Sequence, residues 1–137
     1  MEFKIIENPD VVAVYEIRDR LRAYNKEFWE EKTKVQYSLT ACENECLAGG
    51  IIFSLFGQWL EIEFFWVDQE FRFRGIGSEL LRKTEAFAKD NGCKTSVVNT
   101  MSFQAKPFYE KHGYTVKYTQ NNYPKTSSRY YLEKSLE

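Results

Sequence analysis

A chain of 137 residues, 43% apolar and 17% aromatic, is long enough for one domain around one sizeable core. Nineteen basic residues against twenty acidic ones leave a formal charge of -1, which gives no basic footprint for nucleic acid and no pull towards an anionic membrane. No apolar run approaches the roughly 20 residues that span a bilayer, and the acidic opening MEFKIIENPD does not read as an export signal. The three cysteines, Cys42, Cys46 and Cys93, are therefore expected as reduced thiols in the cytoplasm. With one histidine beside them, no zinc site and no other metal is expected.

In chain order, Met1 to Glu7 alternates enough for a first strand, with Phe3 and Ile5 on one face. Asn8 reads as an N-cap with Pro9 at the first helical position, and the apolar spacing Val11, Val14, Tyr15, Ile17, Leu21, Tyr24 predicts a helix ending near Asn25. The charged stretch Lys26 to Lys34 follows as a short helix or loop. Val35 to Ala41, Cys46 to Phe56 and Trp59 to Val67 then form an antiparallel meander, turning at Glu43-Asn44-Glu45 and at Gly57-Gln58. Gly49 and Gly50 mark a bulge or a close backbone contact. Ser78 to Asn91 is an amphipathic helix stopped by Gly92, with Leu80, Leu81, Thr84, Phe87 and Ala88 on its apolar stripe. It crosses over to a parallel strand at Thr95 to Thr100. Ser102 caps a helix from Phe103 to His112, and two strands, Tyr114 to Tyr118 and Ser128 to Leu136, close the chain. The expectation is one α/β domain over residues 1–137, with a mixed sheet of about seven strands flanked by about four helices.

The segment Leu60 to Leu81 carries the chemistry. A strand feeding Arg72, Arg74, Gly75 and Gly77 and then a helix leaves several backbone N–H groups aimed at one spot, which suits a phosphate. There is no third glycine for a dinucleotide fold and no Gly-Lys-Ser/Thr for a P-loop. Upstream, alternation places Glu61 and Glu63 on one strand face, together with Phe65 and Val67. Two carboxylates so close could raise one pKa towards neutrality. His112, late in a helix, reads as a helix-end residue rather than a catalyst.

Arg72-Phe73-Arg74-Gly75-Ile76-Gly77 fits Gln/Arg-x-x-Gly-x-Gly/Ala, and Phe108-Tyr109-Glu110-Lys111-His112-Gly113-Tyr114 fits Phe-Tyr-x-x-x-Gly-Phe/Tyr. With Asn99 to Ala105 ahead of the second motif, the chain from Phe3 to Leu136 resembles the GNAT N-acetyltransferases. The resemblance implies acetyl-CoA as co-substrate, its pyrophosphate held by the amides from Arg72 through Phe73, Arg74, Gly75, Ile76 and Gly77 to Ser78. Phe73 departs from the family, where a small residue is common. The strand end at Trp66 and Val67 would line the pantetheine arm, with the Val67 N–H polarising the thioester carbonyl. Gln104 or Asn99 would hold the pantetheine amides, and Phe108 would be among the residues that bind the cofactor. Tyr109 would serve the leaving thiolate as proton donor, and Glu61 or Glu63 would act as base. The acceptor would be a primary amine of a small molecule or peptide; the assembly could be a homodimer pairing through its C-terminal strands. A coenzyme A sensor without turnover is the alternative from another class.

Overall fold

The computed structural model describes residues 1–31 and 33–137. The chain divides into two compact units, Met1–Lys32 and Thr33–Glu137. In the first, helix α1 spans Val11–Asn25. Its N-cap is Asp10, whose carboxylate accepts the Val12 N–H at 2.8 Å, two residues later than the expected Asn8. The expected strand over Met1 to Glu7 does not form. Residues 26–28 form a turn after α1.

The second unit is a six-stranded mixed sheet with helices. Its strands are β1 (Val35–Glu43), β2 (Cys46–Phe56), β3 (Trp59–Val67), β4 (Thr95–Met101), β5 (Thr115–Gln120) and β6 (Arg129–Ser135). Helices α2 (Ile76–Asp90) and α3 (Lys106–Lys111) and a 3-10 turn at Gln69–Phe71 complete it. The sheet order is β1-β2-β3-β4-β6-β5, so the last strand inserts between β4 and β5. The single parallel pair, β3 with β4, is the crossover that the glycine turn and α2 make. The architecture is the expected α/β fold with six strands rather than seven, and three α-helices plus the 3-10 turn rather than four.

The meander follows the sequence closely. Asn44 and Glu45 both take positive φ (51° and 66°), as a tight hairpin between right-twisted strands requires. Gly49 allows a close approach, since a Cβ there would sit 3.0 Å from the Trp66 carbonyl oxygen and 3.3 Å from Leu80. The core lies between the sheet and α2, where Ile51, Leu60, Leu81 and Leu132 are all 1% exposed or less. Each such side chain contributes about 1.5–3 kcal/mol of burial. Leu80, Leu81, Thr84 and Ala88 form the buried stripe of α2, and Phe87 packs edge-on to Tyr37 and Phe53 at its margin.

Two local expectations are corrected. Helix α2 begins at Ile76, two residues early, because Gly75 already serves as its N-cap. Ser102 does not cap α3, which starts at Lys106 with Ala105 as N-cap. Instead the Ser102 hydroxyl accepts the Ser128 N–H at 3.2 Å. Cys42 and Cys46 are free and exposed, and Cys93 is free and buried. Among the described residues no helix is long and apolar enough to cross a membrane, and no group of three or more His, Cys, Asp or Glu is placed to hold a metal.

Candidate active site

The site begins with a seam that is only half closed. Strands β3 and β4 pair at Trp59–Thr95, Leu60–Ser96 and Glu61–Val97, and no further. Beyond Glu61, β3 keeps its partner β2 but has no partner on the β4 side. The Asp68 N–H donates to the Ala48 carbonyl on the β2 side at 2.8 Å. Successive amides of a strand point to opposite edges, so those of Phe65 and Val67 face the open seam. An extended ligand entering there finds main-chain partners ready, as an added strand would.

On one side the seam opens into a groove of about 580 Å³, lined by Trp66, Val67, Arg72, Gly77, Gln104 and Tyr109 among others. Phe103, Phe108 and Phe65 make its walls largely aromatic, and no carboxylate lines it. Phe65 meets Phe108 and Tyr109 edge-on, with ring centroids 5.7 and 6.3 Å apart. Tyr109 is 5% exposed, and burial pushes its phenol up to about 12. Its hydroxyl has no hydrogen-bond partner among the described residues. The group therefore stays protonated at neutral pH, as a proton donor should.

At the head of the groove lies the start of α2. Gly75 adopts φ 75°, a left-handed conformation that costs other residues energy, and it supplies no side-chain cap. The first amides of α2, from Ile76 to Ser78, thus point outward with the positive end of the helix dipole behind them. An uncapped turn of this kind fits a pyrophosphate. Arg72 lines the groove and makes no ion pair among the described residues. Arg74 is different: it donates to both Glu43 carboxylate oxygens, at 3.0 and 3.2 Å. That pair holds the Glu43 carboxyl below, and the Arg74 guanidinium above, their ordinary ranges. Arg72 is therefore the free cation of the turn. Phe73 is fully exposed with φ 66°, which explains why a small residue suits this position. Ser78 Oγ lies 2.9 Å from His112 Nε2, so the lone histidine ties the end of α3 to the first turn of α2.

The carboxylates sit on the other side of the seam. Glu63 is an extra residue in the β2–β3 ladder, because Phe53 pairs with Ile62 and Ile52 with Phe64. This bulge corrects the expected alternation. Glu61 and Glu63 do share a face, with Ser54 directly opposite Glu61. Phe65 and Val67 are moved to the core face instead, Phe65 against Tyr109 and Val67 near Gly77. Glu63 accepts from Ser54 Oγ, and from Gln36 Nε2 at 2.6 Å. The Ser54 bond outweighs the desolvation, and Gln36 and the Lys34 charge add to it, so the Glu63 carboxyl is lowered rather than raised. Glu61 is held differently: its Oε2 lies 2.6 Å from the Lys34 ammonium. Both glutamates line a second cleft of about 460 Å³, with Asn99, Lys117, Tyr131 and Glu133 on its far wall.

The seam thus separates the two amides proposed for the pantetheine arm. Gln104 lines the aromatic groove, its Oε1 accepting the Met101 N–H at 2.8 Å, whereas Asn99 lines the carboxylate cleft. Sequence reasoning missed the supports. Gln36, Ser54 and Lys34 lie on strands or beside them, and only the register reveals that they meet Glu61 and Glu63. It also missed the buried set behind Tyr109. The Tyr114 hydroxyl donates to Glu85 at 2.8 Å and lies 2.8 Å from Ser96 Oγ, while Glu85 also takes Lys134 Nζ at 2.8 Å. Tyr114 packs on Tyr109 with centroids 5.5 Å apart, and burial raises its phenol strongly.

Comparison with known proteins bears on this arrangement directly. Residues 5–114 match the Acetyltransferase (GNAT) family. The chain is 38% identical over 102 residues to a blasticidin-S acetyltransferase of Streptomyces morookaense, covering 73% of this chain and 75% of that one. A solved acetyltransferase from Bacillus cereus superposes with a TM-score of 0.87 at 32% identity, over 96% of this chain and 97% of that one. An aminoglycoside 6'-N-acetyltransferase solved with coenzyme A shares the fold at a TM-score of 0.68 and 18% identity, over 100% and 98% of the two chains. The chain therefore belongs to the GNAT family, as an acetyl-CoA-dependent acetyltransferase.

Proposed function

We propose that the chain transfers the acetyl group of acetyl-CoA to a primary amine of a small molecule or peptide by direct attack in a ternary complex. The observation that carries this reading is the half-open β3–β4 seam, with a protonated phenol on one side and two carboxylates on the other. In this reading the amides at the start of α2 and the Arg72 guanidinium hold the pyrophosphate. The pantetheine arm lies along the open edge of β3, against Trp66, Phe108 and Gln104. The outward amide of Val67 or Phe65 hydrogen-bonds the thioester carbonyl and stabilises the oxyanion.

Glu61 takes the proton from the acceptor ammonium. It is the carboxylate not locked by neutral donors, whereas Glu63 is a fixed anion beside it. The amine nitrogen bonds to the acetyl carbon, the carbon–sulfur bond breaks, and the departing thiolate takes its proton or hydrogen bond from Tyr109, while the second proton the nitrogen sheds on becoming an amide restores the phenol or goes to the thiolate. Direct transfer needs no nucleophile from the protein, and Cys93 is buried with its thiol raised by desolvation.

The names of the relatives, a blasticidin-S and an aminoglycoside acetyltransferase, support a small-molecule amine as acceptor. The family match runs through both compact units, which supports one functional domain. The free, exposed thiols of Cys42 and Cys46 support a reducing compartment, the cytoplasm. The test is thiol release from acetyl-CoA over a panel of primary amines. Turnover with at least one amine is expected. Tight coenzyme A binding with no turnover on any amine would instead identify a sensor.

A further inference from the structure

The acid pair already holds an ammonium ion, and it belongs to the protein. Lys34 immediately precedes β1, and its Nζ lies 2.6 Å from Glu61 Oε2. Its charge also acts on Glu63, helping to keep that carboxyl low. Among the described residues Lys34 is the only charged partner of Glu61. The two side chains are 49% and 35% exposed, while the Glu61 Oε2 that meets the ammonium is itself buried and makes no hydrogen bond besides this ion pair. The lysine end of the pair is open to water, so another cation reaches that oxygen by taking the ammonium's place.

We infer that Lys34 is a resident occupant of the acceptor's ammonium seat, and that a primary alkylammonium substrate binds by displacing it from Glu61. This rests on the acetyl-transfer reading only for the word substrate; the seat itself is a matter of cation binding. Lys34 is a primary ammonium on a flexible unbranched chain, which defines the ligand class: a small linear alkylamine with three N–H donors. A neutral alcohol of the same length has no claim on the seat. Gln36 and Ser54 keep Glu63 anionic and fixed while the cation at Glu61 changes, so the seat survives the exchange. Behind it the carboxylate cleft leaves room for the rest of the molecule, with Tyr131 and Glu133 on the opposite wall.

The experiment uses n-pentylamine as probe, with n-pentanol as the neutral control. Binding is measured by calorimetry on the wild type, Lys34→Met and Lys34→Arg, and the amine KM is measured alongside. Losing the competitor should tighten n-pentylamine about three- to fivefold in Lys34→Met, the size of effect expected from a half-exposed ion pair. Lys34→Arg should stay near wild type, because it keeps a cation on Glu61. The KM for acetyl-CoA should not follow the change, which separates a vacated seat from a general loosening of the fold. A second readout is independent of variants: the NMR resonance of the Lys34 side-chain ammonium should move as n-pentylamine saturates, because the displaced lysine loses its carboxylate. Unchanged or weaker amine binding in Lys34→Met, or pentanol binding as well as pentylamine, would overturn the inference. Tighter amine binding without turnover on any amine would keep the seat and remove the acetyl-transfer reading instead.

Discussion

The two sides of the open seam use opposite environments for opposite tasks. The groove is lined by aromatic rings, and there burial keeps the Tyr109 phenol protonated. The cleft is lined by glutamates with polar neighbours, and there Ser54, Gln36 and Lys34 keep Glu63 ionised. One strand, β3, supplies both walls, and the bulge at Glu63 switches which face its side chains take. The acid and base of the proposed mechanism must coexist at one pH, and the polarity of their surroundings suits each to its state.

Removing the phenol should have the largest effect. Tyr109→Phe should lower kcat by about a hundredfold, the usual size of a proton-transfer contribution, while coenzyme A still binds. Steady-state thiol release and calorimetry check the two halves, and an unchanged kcat would remove Tyr109 from the chemistry. The same burial makes an alkaline prediction. Tyr109 has an ordinary pKa of 10.0 and a folded one of about 12. Between these values the unfolded chain has lost the proton that the native state keeps, so stability falls as pH rises through that window. The expected loss from Tyr109 is about 2–3 kcal/mol, with Tyr114 adding in the same direction. Urea unfolding from pH 9 upward reads it, and Tyr109→Phe should flatten the decline if it folds.

On the cleft side, Glu61→Gln should lower kcat/KM for the amine by about tenfold or more at neutral pH. The deficit should shrink as pH approaches the amine's own pKa, because free base then arrives without help. A deficit independent of pH would assign Glu61 to binding rather than to proton transfer. The smallest effect is at the turn both sides share. Phe73 holds a positive φ with its ring in solvent, so Phe73→Gly should stabilise the protein by about 0.5–1 kcal/mol. Thermal unfolding would show this as a raised Tm, and a lowered Tm would mean the ring has a packing partner.

Much of this was legible in the residues. Val35 to Val67 declared its meander through β-branched and aromatic alternation and two tight turns, and Gly75 with Gly77 declared the helix start. Tyr109 stood out through the motif Phe108 to Tyr114, which runs from α3 past Gly113. The bulge was not. Glu61, Ile62 and Glu63 alternate cleanly, and only the unbroken aromatic run Phe64-Phe65-Trp66 hints that the phase slips. The seam was not legible either, because strand divergence depends on which backbone groups find partners, and a side-chain pattern does not record that. Met1 to Glu7 shows the converse. Two apolar residues at alternate positions can suggest a strand, but strands exist by pairing, and in its own unit this segment has no strand to pair with.

Amide hydrogen exchange with and without coenzyme A tests most directly whether coenzyme A occupies the open edge of β3. The amides of Phe65 and Val67, and those from Ile76 to Ser78, should gain protection on binding, while Trp59 to Glu61, already paired to β4, should change little. Coenzyme A binding that leaves Phe65 and Val67 exchanging as before would contradict it.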